Sequence, residues 1–373
     1  MESPVIRSER QVLIGLCLEP HEALSLGGVD VRRLAGHAAR LQVESYLLEA
    51  LTPHQRRLGP EAASWLGEMR RNVFAVAVDN LRRDEELREG LARLSAGGVP
   101  FILLKGSGLR AERPGLAGRF QCDVDVLLRR EDLERAEEIL AGLGFTLDQS
   151  YLDRASMLRE HFHLGYQRRG ATVELHWNID VDSPAGFTER LWERSRHLEL
   201  DGGACRVLAP EHQLLVACLH LSRHAFFSGL RWLADLKLLL PAPAEVRERL
   251  VEEARGWPPR AVWCPLWLLA LQGVPGAEAF ADALDAGPAE RRLLQPLLNA
   301  LLVEEPWLGL PAWRGARALH TWLFSDRSLF SLLPEAWGEG VRQRWGQNRP
   351  HGPAEPSPEL RPQADALGLR RAK

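Results

Sequence analysis

The sequence predicts an α+β protein: a mixed sheet with helices of its own, flanked by N- and C-terminal helical regions. Three observations carry this reading. Residues up to about 95 place leucine and alanine at helical spacing, as in VRRLAGHAARLQVESYLLEAL and MRRNVFAVAVDNLRRDEELREGLARLSAGG. The middle of the chain changes to short apolar or alternating runs, PFILLKGSGL, CDVDVLL and TVELHWNI, which have the period of strands. From Pro210 onward, helical leucine and tryptophan spacing returns. The expected organisation is a helical region over 1–95, a core over 96–207, a helical region over 208–345 and a disordered, Pro-rich tail over 346–373.

The elements follow in order. Gly97 and Gly98 stop the second long helix and Pro100 opens a strand. That strand, PFILLK, ends in a Lys105-Gly106-Ser107 glycine turn leading into a short helix, which leaves backbone N–H groups free to face a phosphate. CDVDVLL alternates, so Asp123 and Asp125 share one face while Val124 and Val126 enter the core. REDLERAEEILAGLGF is a charged amphipathic helix closed by glycine. HFHLGYQRRGATVELHW reads as a hairpin turning at Arg169-Gly170, and its second arm puts Glu174, His176 and Asn178 on one face. The stretch from Pro210 to Leu240 is one apolar helix or a pair, begun by APEH and ended by PAP.

Composition permits this reading without suggesting it. The 373 residues are 45% hydrophobic, ample for packed cores, and the formal net charge of −3 supplies no basic field for duplex nucleic acid. Five cysteines, odd in number and without C-x-x-C spacing, point to a reduced, cytoplasmic protein. The first twenty residues have only a short apolar stretch with acids on both sides and make no convincing signal peptide. Later apolar runs such as VWCPLWLLALQGV are too short to span a bilayer, so no membrane partner is expected.

The chemistry gathers around the carboxylates. Side chains two apart on a strand sit about 7 Å apart at Cα, close enough for Asp123 and Asp125 to ligate one Mg²⁺ or a pair, and Glu174 offers a third carboxylate from another strand. Lys105 reads either as an ordinary lysine at a strand end or as a charge aimed at a triphosphate. Ser107 can cap the following helix while binding phosphate, and Arg119 can pair with an acid or meet a phosphate.

Gly-Ser, a gap, Asp-x-Asp and a third acid on a later strand resemble the DNA polymerase beta-like nucleotidyltransferase superfamily. Within it, LLKG, Arg119 ahead of DVDVLL, ELHW, LHLSRH and LRWLADL are similar to a poorly characterised bacterial nucleotidyltransferase family, over roughly residues 70–240. The gap from Gly106-Ser107 to Asp123 is slightly longer than in many superfamily members. The resemblance implies a polymerase beta-like core that transfers a nucleoside monophosphate from an NTP, ATP being the expected one, to an unidentified acceptor, a small molecule or a protein side chain, with release of pyrophosphate. It implies two Mg²⁺ ions, with Mn²⁺ as the alternative, on Asp123, Asp125 and Glu174, and phosphate contacts from Lys105, Gly106, Ser107 and Arg119.

The histidines leave more open. His161 and His163, with His176, have the makings of a transition-metal cluster, but the resemblance favours hydrogen bonding around the carboxylates instead. His220 and His224 lie one helical turn apart with Leu221 where a zinc protease carries its glutamate, which argues against metal. Arg231 and Asp235 have the i,i+4 spacing of a helix salt bridge. His176, His220, His224 and Asp235 make a candidate acceptor pocket. Two rival readings stand beside the transferase: a non-catalytic nucleotide-binding or scaffolding module, and a metal-dependent phosphohydrolase that uses the histidines.

Overall fold

The protein is described from a computed structural model that covers residues 9–18, 29–57, 60–149, 153–200, 203–224, 229–240, 242–284 and the single positions 291, 323 and 324. The helices expected between 285 and 345 lie outside these residues apart from the single positions, and so does the tail.

Four helices precede the sheet: α1 (Glu9–Leu18), α2 (Val31–Leu41), α3 (Glu44–Leu51) and the 37-residue α4 (Pro60–Ala96). Asp30 caps α2 by accepting from the backbone N–H groups of Arg32 and Arg33 at 2.9 and 3.1 Å, which satisfies two of the donors that a helix start leaves unpaired. The helix ends where Gln42 takes the left-handed conformation, so the single periodic run expected here divides into α2 and α3.

The sheet has seven strands: β1 (Ile102–Leu103), β2 (Asp123–Leu127), β3 (Thr146–Leu147), β4 (His163–Arg168), β5 (Ala171–His176), β6 (Arg196–Leu200) and β7 (Gly203–Val207), in the order β3-β4-β5-β2-β1-β7-β6. It is mixed, with β1 antiparallel to β2 and parallel to β7, and β2 parallel to β5. The hairpin β4–β5 turns at Arg169 and Gly170, both at positive φ, as the tightest hairpin turns require. Helix α5 (Lys105–Glu112) follows β1, α6 (Leu133–Gly142) follows β2, α7 (Arg154–Glu160) precedes β4 and α8 (Phe187–Arg194) follows β5. Beyond the sheet, α9 (Pro210–Arg223) and α10 (Gly229–Leu238) form the expected pair, followed by α11 (Ala244–Ala254), α12 (Pro259–Leu271) and α13 (Ala277–Ala283).

Strand alternation sorts the side chains into two cores. Val124, Val126, Val173 and Leu175 pack with Leu87 and Leu94 of α4 and with Leu133 and Leu140 of α6. Ile102, Leu104 and Leu127 join a second, larger core built from α1–α3, the start of α4, α8 and the helices from α9 on. Because the pleat has a period of two, Asp123 and Asp125 share the Leu127 face and look toward the second core. Among the described residues, no helix is long and apolar enough to cross a membrane, and none of the five cysteines forms a disulfide.

Candidate active site

Two strands and one helix start bring the carboxylates together. Asp125 on β2 stands opposite Glu174 on β5, with Asp123 opposite Thr172 and Leu127 opposite His176. Parallel pairing therefore puts Asp123, Asp125, Glu174 and His176 on one face. Lys105, the first residue of α5, reaches over them, with its Nζ 2.5 Å from Asp125 Oδ1 and 3.8 Å from Glu174 Oε2. His176 is 1% exposed, and its Nε2 lies 2.9 Å from Asp125 Oδ1 and 3.1 Å from Glu174 Oε2. Both neighbours are carboxylates, so Nε2 carries the proton and donates. His163 stacks on His176 with ring centroids 4.8 Å apart.

The electrostatics are those of crowded like charges. Burial, reinforced by Asp125 and Glu174, pushes the Asp123 carboxyl up to about 7. Burial also opposes ionisation of Glu174, but His163, a hydrogen bond from His176 and the Lys105 ammonium outweigh it and hold this carboxyl well below the usual range. Lys105 is raised in spite of its burial, because Asp125, Glu174 and Asp123 surround it. Burial and Lys105 oppose the charge on His176, yet its hydrogen bonds to Asp125 and Glu174 raise it. Burial lowers His163 to about 4, which keeps that ring neutral.

Two sequence expectations need correction. The Lys105-Gly106-Ser107 segment is not a separate glycine turn: α5 begins at Lys105, and the positive φ of 48° falls on Lys105 itself. Gly106 and Ser107 thus lie in the first turn, where N–H groups have no intrahelical partner, and no side chain caps this end. The Ser107 hydroxyl is buried and engaged within the fold, accepting from the Asp125 N–H at 3.2 Å and the Gln121 amide at 3.0 Å. Gln121 also donates to the Asp123 carbonyl at 2.6 Å, so the pair pins the start of β2 beneath α5.

The second correction concerns Asp235. It does not pair with Arg231 along the helix. Its carboxylate accepts two bonds from Arg119, at 2.7 and 2.5 Å, and a third from the Tyr46 hydroxyl. Arg231 instead donates to the side chain of Gln42. The reason is geometry in a buried site: Arg119, 4% exposed, takes both Asp235 oxygens as a bidentate pair, which leaves Arg231 to find another acceptor. The Arg119 guanidinium lies directly under Gly106, where a Cβ would meet its Nη1 at 2.7 Å.

His220 meets Trp232 of α10 edge to face and His224 meets it at a tilt, at centroid distances of 4.4 and 4.9 Å. Burial, then His224 and Lys105, holds His220 well below its ordinary pKa. Sequence reading missed Tyr46, Gln42 and Gln121 as supports of the site, because each acts across a fold contact that no local spacing reveals.

An acidic triad across two paired strands thus stands beside an uncapped helix start and a half-buried lysine. The chain matches the family described as uncharacterised nucleotidyltransferase over residues 27–270, and it belongs to that family. The match is wider than the span that carries the sequence resemblance, and it takes in every strand and every candidate site residue. The family implies nucleotidyl transfer in general and, with it, an NTP substrate. No curated protein matches the chain.

Proposed function

We propose that the protein is a divalent-metal-dependent nucleotidyltransferase with a polymerase beta-like core over 96–207, which moves a nucleoside monophosphate from an NTP, ATP being the expected one, to a small-molecule or protein hydroxyl. The observation that carries this reading is the pairing of Asp125 with Glu174 across parallel strands, with Asp123 on the same face. Three carboxylates against one lysine leave an excess of negative charge, visible in the raised Asp123, and such a hard oxygen donor set suits Mg²⁺. Asp123 and Asp125 would hold the ion on the triphosphate, and Glu174 the ion on the acceptor side. Bound there, divalent ions would supply electrostatic stabilisation of the attacking and leaving oxygens.

The chain's own groups have separate parts. The N–H groups at Gly106 and Ser107 and the Lys105 ammonium face the phosphates, at the positive end of the α5 dipole. Arg119, spent on Asp235, acts through position: it holds α10 against the loop before β2 and supports Gly106 from below. His176 fixes the relative orientation of Asp125 and Glu174 by donating to both. Glu174, with His176 behind it, helps to draw the proton from the acceptor hydroxyl as the new O–P bond forms and pyrophosphate leaves. His220 and His224 border the acceptor side.

The test is incubation with each labelled nucleoside triphosphate, Mg²⁺ and a cell extract, with pyrophosphate and the labelled species measured. Transfer should fall at least about 100- to 1,000-fold in Asp123→Asn or Asp125→Asn. Glu174→Gln should keep triphosphate affinity within a few-fold while the rate drops. Unchanged turnover in a folded Asp123→Asn, Asp125→Asn double variant would remove the assignment. Release of inorganic phosphate without any labelled acceptor would favour a phosphohydrolase.

A further inference from the structure

The carboxylate cluster contains two imidazoles that nucleotidyl transfer through carboxylates alone does not require. His163, Glu174 and His176 each offer a ligand atom, and these atoms all lie within 4.8 Å of one another. His163 is the informative member. Its Nδ1 is buried without a hydrogen-bond partner, and its Nε2 lies 4.0 Å from Glu174 Oε1, too far for a hydrogen bond. Among the described residues, no hydrogen bond reaches either nitrogen. The unpaired Nδ1 alone costs about 1–3 kcal/mol, and the Nε2 that faces Glu174 is left uncommitted, so the placing of this ring needs an explanation.

The gap itself supplies one. A nitrogen and an oxygen that each bind one ion at roughly 2.0–2.2 Å stand about 3–4.2 Å apart according to the angle between them, so the 4.0 Å here lies at the wide end of the range that an ion can bridge, and a small approach of the two side chains brings it to the middle. His176 Nε2 sits 3.1 Å from the other oxygen of the same carboxylate, so both rings address Glu174 from one side. The stacking of the two rings fixes His163 in that place. Lys105 does not fill the position, since its ammonium is committed to Asp125 at 2.5 Å and stands 3.8 Å from Glu174.

We infer that His163, His176 and Glu174 form a mixed nitrogen–oxygen site for a first-row divalent transition cation, of the class of Mn²⁺, Co²⁺ or Zn²⁺, beside the harder Asp123–Asp125 pair, with His176 releasing its Nε2 proton to solvent as the ion binds. Imidazole nitrogen favours these ions over Mg²⁺, whereas carboxylate alone does not. The inference deepens the proposed function, on which it rests, by giving the acceptor-side ion a different chemistry from the triphosphate ion. The product, and not the identity of the ion, then separates transferase from hydrolase.

The test reads binding rather than turnover. The full chain is stripped with chelator and titrated with Co²⁺ alone, following the visible absorption that nitrogen ligation intensifies, and with Mn²⁺ alone, following nitrogen coupling by pulsed electron paramagnetic resonance. The wild type should show nitrogen ligation with both ions. His163→Ala should weaken Co²⁺ binding by at least about 10- to 100-fold. His161→Ala, whose ring centroid stands 6.1 Å from that of His163, is the control and should bind as the wild type does. Oxygen-only signals in the wild type overturn the site without any variant, and so does equal Co²⁺ affinity in His161→Ala and a folded His163→Ala. Neither result touches the Asp123 and Asp125 transfer test, so the two readings fail separately.

Discussion

Two charge clusters meet the start of α5, one at Gly106 and one at Lys105, and they are built on opposite principles. At Gly106, Arg119, Asp235 and Tyr46 are closed: one cation, one anion and one neutral hydroxyl, with both carboxylate oxygens taken and the guanidinium held at 2.7 and 2.5 Å. At Lys105, Asp123, Asp125, Glu174, Lys105 and His176 are open, with three acids gathered on one face around a single lysine. A buried pair that satisfies itself can only hold structure. A cluster that gathers three acids around one lysine, with burial and then the neighbouring Asp125 and Glu174 pushing Asp123 up to about 7, has the charge that the proposed function assigns to a cation. On the proposed function, the first cluster serves stability and the second serves the chemistry.

The sharpest way to break this contrast is to open the closed cluster. Arg119→Ala strands the Asp235 carboxylate beneath Tyr46 and should destabilise the fold by about 3–5 kcal/mol, read by denaturant unfolding. Tyr46 and Asp235 come from α3 and α10, so the loss should loosen both flanking helical regions together. Any loss of transfer should follow the loss of folded protein. A well-folded Arg119→Ala protein with normal stability and no transfer would return Arg119 to the phosphate site.

A smaller effect is expected at the boundary between the clusters. Gly106→Ala sets a Cβ 2.7 Å from Arg119 Nη1 and 3.0 Å from its Cζ. A long side chain ordinarily swings away, but this one is tied at both ends of its fork. The strain should cost about 1–3 kcal/mol, less the roughly 1 kcal/mol that alanine gains over glycine inside a helix. Since Gly106 also supplies a first-turn N–H, triphosphate affinity measured by titration should weaken in the same variant. If stability and affinity both hold, the two clusters are independent of one another.

The contrast also explains what the sequence made legible. The open cluster was readable because strand alternation is local: Asp123, Asp125, Glu174 and His176 could be sorted to faces from their neighbours alone. What could not be read was that β2 and β5 pair in parallel with Asp125 opposite Glu174, a register set by the whole sheet. The closed cluster was misread because its partners are 116 and 189 residues apart, and the only rule available for Asp235 was helical spacing, which pointed to Arg231. The glycine turn was misplaced for a related reason. The positive φ falls on Lys105, and Gly106 sits inside the helix where the guanidinium below leaves no room for a Cβ, so glycine is needed there for space and not for its freedom to turn.

The smallest effect, and the one of opposite sign, belongs to the open cluster. Asp125 and Glu174 face each other directly across β2 and β5 with Asp123 beside them, and like charges so placed cost about 0.2–1 kcal/mol per pair. Asp123→Asn removes one of the three at nearly constant shape, and without divalent ion it should therefore raise the unfolding free energy by up to about 1 kcal/mol. The same variant that should abolish transfer should thus be slightly more stable than the wild type. Mg²⁺ provides the counterpart: by neutralising the cluster it should raise the melting temperature of the wild type more than that of Asp123→Asn. An Asp123→Asn protein that is less stable than the wild type in chelator, and that gains as much from Mg²⁺, would mean that Asp123 is a structural carboxylate and that its cluster is as closed as the one at Gly106.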